Sequence, residues 1–188
     1  HYHQGELFAE QVSLRRIAEQ VGTPTYVYAA STIERHVRVL QESLAGLPHQ
    51  LCFAVKANAN LAILDILKQA GCGFDAVSGG ELERLLALHV DTKTIILSGV
   101  GKRDDEIDAA LKHHVLYICA ESLEEIQAIA ERAQAHGCRA PVTIRVNPDV
   151  DAQTHPYIST GLRENKFGVP IEDAHALCTQ FREHPYVQ

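Results

Sequence analysis

The chain has 188 residues, 46% of them hydrophobic and 22% charged, enough apolar material for a packed core and too much for default disorder. Its net charge of −7 and pI near 5.9, with basic residues scattered rather than clustered, argue against nucleic acid or an anionic membrane surface as partner. No apolar run approaches the roughly 20 residues of a bilayer span, and no charged-then-apolar leader opens the sequence, so the expectation is a soluble, cytoplasmic protein.

Five cysteines, Cys52, Cys72, Cys119, Cys138 and Cys178, are odd in number, widely spaced and free of any C-x-x-C pair. They read as small core residues of a reducing compartment. Eleven histidines are present, but none stands beside a carboxylate in a helical ligand spacing, and no metal is expected. The chain opens on His1 rather than methionine, which suggests a piece of a longer polypeptide.

Residues 1–25 read as a lead-in: a polar start, a short helix around Leu14, Ile17 and Ala18 closed by Gly22, then Thr23-Pro24 forcing extension. Thr25-Tyr26-Val27-Tyr28 is β-rich and opens the main domain, 26–188. Ser31-Thr32-Ile33-Glu34 has the form of a capping box, with Val37, Leu40 and Leu44 following at helical spacing. Leu51-Cys52-Phe53-Ala54-Val55 is an unbroken apolar run, the mark of a parallel strand covered on both faces, and it ends on Lys56. Asn60 caps a helix carrying Leu61, Leu64 and Leu67. Strand and helix then alternate: Phe74–Ser78, the helix of Leu82 and Leu85, Thr94–Ser98, the helix of Ile107 and Leu111, Val115–Cys119, the helix capped by Ser122 and Glu125, Val142–Asn147, and a last helix with Ala174, Leu177 and Phe181.

Strand ends fall near residues 56, 78, 98, 120 and 147, at intervals of 22, 20, 22 and 27, which is the period of consecutive βα units. Neither Gly79-Gly80 nor Gly99-x-Gly101 makes a G-x-G-x-x-G fingerprint, so a dinucleotide-binding sheet is disfavoured. An α/β barrel fits better, but a complete one takes about 250 residues. Five to six βα units are expected here, an incomplete barrel.

Ligands of such folds bind at the carboxyl ends of the strands. Lys56, Asp75 with Ser78, Ser98, Glu121, and Arg145 with Asn147 all fall there. A lysine emerging half-buried at such a rim can attack an aldehyde as the free amine and form a Schiff base, although a lysine at a strand end is, on position alone, more often a snorkelling surface residue. Asp75 and Arg145 interrupt apolar strands, either as an ion pair with each other or with neighbours, or as groups that orient a cofactor. Gly79-Gly80-Glu81 opens a helix whose amides could hold phosphate, and 147–157 is a long polar loop of the kind that carries function.

Taken together, Tyr26-Val27-Tyr28, Ala54-Val55-Lys56-Ala57-Asn58, Phe74-Asp75-Ala76-Val77-Ser78-Gly79-Gly80-Glu81-Leu82, Ser98-Gly99-Val100-Gly101-Lys102, Arg145-Val146-Asn147-Pro148-Asp149-Val150 and Thr154-His155-Pro156-Tyr157 through Lys166-Phe167-Gly168 resemble the diaminopimelate decarboxylases. The lysine and D-x-x-S-x-x-E segments are shared with the wider barrel-type, pyridoxal-phosphate-dependent decarboxylases and alanine racemases. The resemblance implies pyridoxal 5'-phosphate carried on Lys56, with Ala54, Asp75 and Arg145 around it, Arg145 beside its phenolic oxygen and Glu81 near its lysine. It implies decarboxylation of meso-diaminopimelate to L-lysine, the last step of lysine biosynthesis, by a homodimer acting on a small amino acid. It also puts the ring-stacking histidine, the glycine-rich phosphate loop and the β-rich carboxyl-terminal domain beyond Gln188. A related ornithine or arginine decarboxylase, or a non-catalytic half-barrel, are the alternatives.

Overall fold

A computed structural model describes residues 1–148 and 167–188. The first thirteen residues form an antiparallel meander of β1 (Tyr2–His3), β2 (Glu6–Ala9) and β3 (Val12–Ser13), which the polar lead-in reading missed. The signal was Gln4-Gly5: both have positive φ, 49° and 78°, as a two-residue hairpin turn requires to follow the twist of its strands. Helix α1 (Leu14–Val21) follows as expected, its first turn capped by Ser13 Oγ accepting from the Arg16 N–H.

Two expectations fail next. Thr25–Tyr28 forms no strand, and Tyr26 and Tyr28 stand 89% and 56% exposed. β-propensity is expressed only against a neighbouring strand, and none of the described strands runs beside this segment. Helix α2 (Ala30–Ser43) begins before the supposed capping box, so Ser31 lies inside it. Its orphan amide is met from the lead-in, where the Glu10 carboxylate accepts the Ser31 N–H at 2.7 Å. Ser31, through its side chain first and its backbone N–H second, holds the Glu10 carboxyl below its ordinary range.

The main body then alternates β4 (Cys52–Ala54), α3 (Leu61–Gln69), β5 (Gly73–Ala76), α4 (Gly79–Ala87), β6 (Ile95–Leu97), α5 (Asp104–Lys112), β7 (Tyr117–Ala120), α6 (Leu123–His136) and β8 (Val142–Ile144). Strands β4 to β8 form one parallel sheet in sequential order. Right-handed crossovers between sequential parallel neighbours lay every helix on the same face, which is barrel winding. A doubly wound sheet would reverse its order.

Burial confirms a one-sided cover. Phe74, Ala76, Ile95, Leu97, Ile118 and Ala120, on one face of the pleat, are at most 1% exposed and pack with Leu64, Leu82, Leu85, Ile107, Ile126 and Ile129 of the helices. Their alternates, Cys52, Ala54, Asp75, Ile96, Cys119 and Thr143, are only partly buried. The expectation that β4 is covered on both faces is therefore corrected: all three of its residues are half-buried, because these residues build an arc of wall and not the closed tube.

Beyond β8 come β9 (Val146–Asn147), β10 (Val169–Pro170), which pair in parallel, and α7 (Ile171–Phe181). After α7 the chain returns alongside β8, where Val187 pairs in parallel with Ala140 and the Val142 N–H donates to the Gln188 carbonyl at 2.9 Å. This is the first rung of a sixth strand, in line with five to six βα units. Among the described residues no helix is long and apolar enough to cross a membrane.

Helices α5 and α6 are tied by Asp108, which accepts from Arg132 Nε at 2.7 Å and from Arg132 Nη2, and meets His136 Nε2 at 2.9 Å. The Arg132 hydrogen bonds hold the Asp108 carboxyl below its ordinary value of 3.8, against a smaller opposing effect of burial. A carboxyl with a lowered folded-state pKa adds stability above its unfolded value and loses it as pH falls through the folded one. The expected outcome is that Asp108→Asn lowers the urea midpoint at pH 7 and that the gap to wild type narrows progressively as pH falls below about 4. A gap that does not narrow with falling pH would assign the effect to packing.

Candidate functional site

Lys56 sits one residue into a single 3₁₀ turn, Val55–Ala57, that follows β4. The turn alternates sharply: Val55 is fully buried in the core, while Lys56 is exposed. Lys56 is thus more open to water than the half-buried strand-end lysine expected from the sequence. Two residues before it, Ala54 pairs in register with Asp75 of β5, so both share the pleat face that the helices leave uncovered. Asp75 Oδ1 is shielded from solvent and has no hydrogen-bond partner among the described residues. Its charge and the burial of the site, burial first, push the Cys52 thiol up.

Arg145 does not pair with Asp75. Two strands separate β5 from β8, roughly 14 Å at ordinary strand spacing. The guanidinium instead donates from Nη1 to Glu121 Oε1 at 2.9 Å, across the adjacent ends of β7 and β8. Nor does Arg145 lie inside a strand; it stands between β8 and β9 with 47% of its side chain exposed. Its guanidinium lies over the Phe167 ring, 5.6 Å from the centroid. Gly168 explains how close these segments come: with φ at +93°, a Cβ there would fall 2.7 Å from the Arg145 carbonyl oxygen. The rest of the polar loop, Asp149 through Lys166 with its Thr154-His155-Pro156-Tyr157 run, lies outside the described residues.

The strand-to-helix turns at this rim are knitted by carboxylates. Glu81 accepts the Val77 N–H at 2.8 Å while Ser78 Oγ caps the Glu81 N–H, and Glu125 and Ser122 repeat the arrangement on the Glu121 N–H at 2.7 Å. Glu81 is therefore engaged in its own turn, and among the described residues it forms no ion pair with a lysine. The Gly79 amide expected to be open for phosphate already donates to Glu106 Oε1 at 2.7 Å, so that helix start is occupied by a carboxylate.

The sequence reading also missed Lys102. Its side chain is 2% exposed, and Nζ donates to the carbonyls of Gly99 and Cys119 at 2.7 and 2.5 Å and meets Glu125 Oε1 at 3.2 Å. A glycine-rich turn ending on lysine, and a strand that ends five residues before a helical glutamate, were the only hint. Removing one partner of a buried ion pair strands the other without solvent, at a cost of about 3–5 kcal/mol. Lys102→Met is expected to lower stability by that order in urea unfolding, with part of the loss recovered in a Lys102→Met, Glu125→Gln double variant, whose neutral amide oxygen can still accept the Glu121 N–H. A single variant as stable as wild type would contradict the pair.

Amine, shielded carboxylate and guanidinium on one rim suit a ligand that offers an aldehyde together with anionic oxygens and a ring donor. The orphaned Asp75 oxygen is the observation that such a ligand would satisfy.

Comparison with known proteins gives a consistent picture. The family described as "Pyridoxal-dependent decarboxylase, pyridoxal binding domain" matches residues 30–186. A diaminopimelate decarboxylase of Pseudomonas aeruginosa is 52% identical over 187 residues, covering 100% of this chain and 45% of that protein. Among solved structures, diaminopimelate decarboxylase from Helicobacter pylori complexed with L-lysine superposes with a TM-score of 0.88 at 38% identity, covering 93% of this chain and 44% of that one. The enzyme from M. jannaschii in co-complex with L-lysine gives 0.87 at 34%, covering 100% and 45%. The chain thus spans somewhat less than half the length of these relatives.

Proposed function

The chain belongs to the pyridoxal-dependent decarboxylases, as their pyridoxal-binding domain, and from that membership we propose that it is the amino-terminal arc of a barrel enzyme that converts meso-2,6-diaminopimelate to L-lysine and carbon dioxide. What supports this reading is that Lys56, the unpartnered Asp75 oxygen and the Arg145 guanidinium all belong to the carboxyl-terminal side of one parallel sheet. Identity near 50% with diaminopimelate decarboxylases across the whole chain favours that substrate over ornithine or arginine.

When bound, pyridoxal phosphate supplies an aldehyde carbon that captures amines and a pyridinium ring that accepts the electron pair left by a departing carboxylate. Lys56 Nζ would hold it covalently and would carry the proton exchanged at the substrate α-carbon. Asp75 Oδ1 would accept a hydrogen bond from it in a shielded setting, where such a bond is strong. Ala54, in register beside that carboxylate, would offer it only a methyl group. Arg145 would hold an anionic oxygen through the donors that Glu121 does not use.

The same reading takes residues 1–25 as a lead-in and 26–188 as the barrel portion, the whole protein as a homodimer, and the cytoplasm as its place. Five free thiols support a reducing compartment, and the exposed Val39, Leu40 and Tyr28 offer apolar surface to a second copy.

Carbon dioxide release by the full-length protein with pyridoxal phosphate tests the proposal. Turnover of meso-diaminopimelate well above that of ornithine or arginine is expected, with a loss of at least roughly 10³-fold in Lys56→Ala. Preference for ornithine or arginine, or an active Lys56→Ala variant, would refute it.

A further inference from the structure

Among the exposed cations of the described residues, Arg145 is held at both its backbone and its guanidinium. Its backbone N–H donates to the Ala120 carbonyl at 2.9 Å, and its own carbonyl accepts the Val169 N–H at 2.9 Å. Its guanidinium is pinned between Glu121 and the Phe167 ring, yet 47% of the side chain faces solvent. An arginine that is both open and immobilised has already lost the rotamer freedom that ligand binding would otherwise remove.

Glu121 is built to impose a direction without using up the fork. Its side chain is 6% exposed, and only Oε1 meets Arg145, through one Nη1 donor, rather than both oxygens in a bidentate pair. Its second oxygen, Oε2, is buried with no partner among the described residues. Among the described residues no other acceptor takes a hydrogen bond from the guanidinium, which has five donors. Glu121 is fixed in turn from behind. Glu125 Oε2 accepts its backbone N–H at 2.7 Å, and Glu125 Oε1 is held by the Lys102 backbone N–H at 3.3 Å and by Nζ at 3.2 Å. Lys102 anchors the assembly to the ends of β6 and β7 through the Gly99 and Cys119 carbonyls.

From this chain of contacts we propose that Glu121 is a positioning residue, held by the Lys102–Glu125 pair, that aims the Arg145 guanidinium at an anionic oxygen of the ligand carried on Lys56. The inference rests on the pyridoxal reading above. It adds a residue that acts through Arg145 rather than by touching the ligand.

The test uses the full-length protein and a thermodynamic cycle of Glu121→Gln, Arg145→Met and the double variant, with Glu121→Asp as a charge-retaining alternative. Two quantities are read: the Kd for pyridoxal phosphate and the position of the bound cofactor's visible absorption band, with melting of the cofactor-free protein as the measure of folding. Glu121→Gln is expected to raise Kd about tenfold, equivalent to about 1.4 kcal/mol, and to displace the band, with little change in cofactor-free melting. Glu121→Asp should fall between it and wild type. The double variant should bind no more weakly than Arg145→Met alone, because Glu121 has nothing left to aim. Independent, multiplying effects of the two substitutions, or an unchanged Kd and band in Glu121→Gln, would overturn the proposal. Wild-type protein that takes up no pyridoxal phosphate would overturn the reading beneath it, an outcome that this control separates from failure of the Glu121 role alone.

Discussion

Everything at the rim depends on the parallel hydrogen-bond register that aligns β4 with β5 and onward to β8. Because Ala54 is opposite Asp75, and Asp75 opposite Ile96, the strand ends arrive at one level, and their uncovered pleat faces point to one side. A slip of one residue in β5 would turn Asp75 into the helix layer and bring Phe74 or Ala76 to the site. The burial of Phe74, Ile95, Leu97 and Ile118 against α3 to α6 is what forbids that slip. Core packing and site geometry are thus the same constraint seen from two faces of one sheet.

Above the sheet, order is kept by charged groups spent on backbone. Glu81, Glu106 and Glu125 each accept an amide from a strand-to-helix turn, so that these loops behave as extensions of the sheet. The turns at β5, β6 and β7 are fixed in this way, whereas Lys56 rides on a single 3₁₀ turn whose only anchor in the core is Val55. A rigid frame with one exposed amine is a sensible division: the groups that orient are held, and the group that must form and break bonds has room to move.

Much of the fold was legible in the sequence because it is written in local patterns. Helix caps at Asn60 and Ser122, the stop at Gly22, and the 20-to-27-residue recurrence of strand ends all lie within short windows. Lys56, Asp75 and Arg145 stood out by inspection as ionic residues ending or interrupting apolar runs, whereas Ala54 entered only through the resemblance. What stayed hidden was partnership. Arg145 meets Glu121 and Lys102 meets Glu125 because β6, β7 and β8 are neighbours, and no spacing rule selects one carboxylate among 24 acidic residues. The capping box at Ser31 failed for a related reason: Glu10, 21 residues earlier, supplies the acceptor, and a long-range contact overrides a local motif.

The claim at the centre is that Lys56 carries pyridoxal phosphate on this rim. The most direct measurement is borohydride reduction of the full-length protein in the presence of pyridoxal phosphate, followed by intact mass and peptide mapping. A single reduced pyridoxyl group on the peptide containing Lys56, absent from Lys56→Ala protein, is the expected result. An unmodified Lys56 peptide, or an adduct carried instead by Lys68 or Lys102, would contradict it.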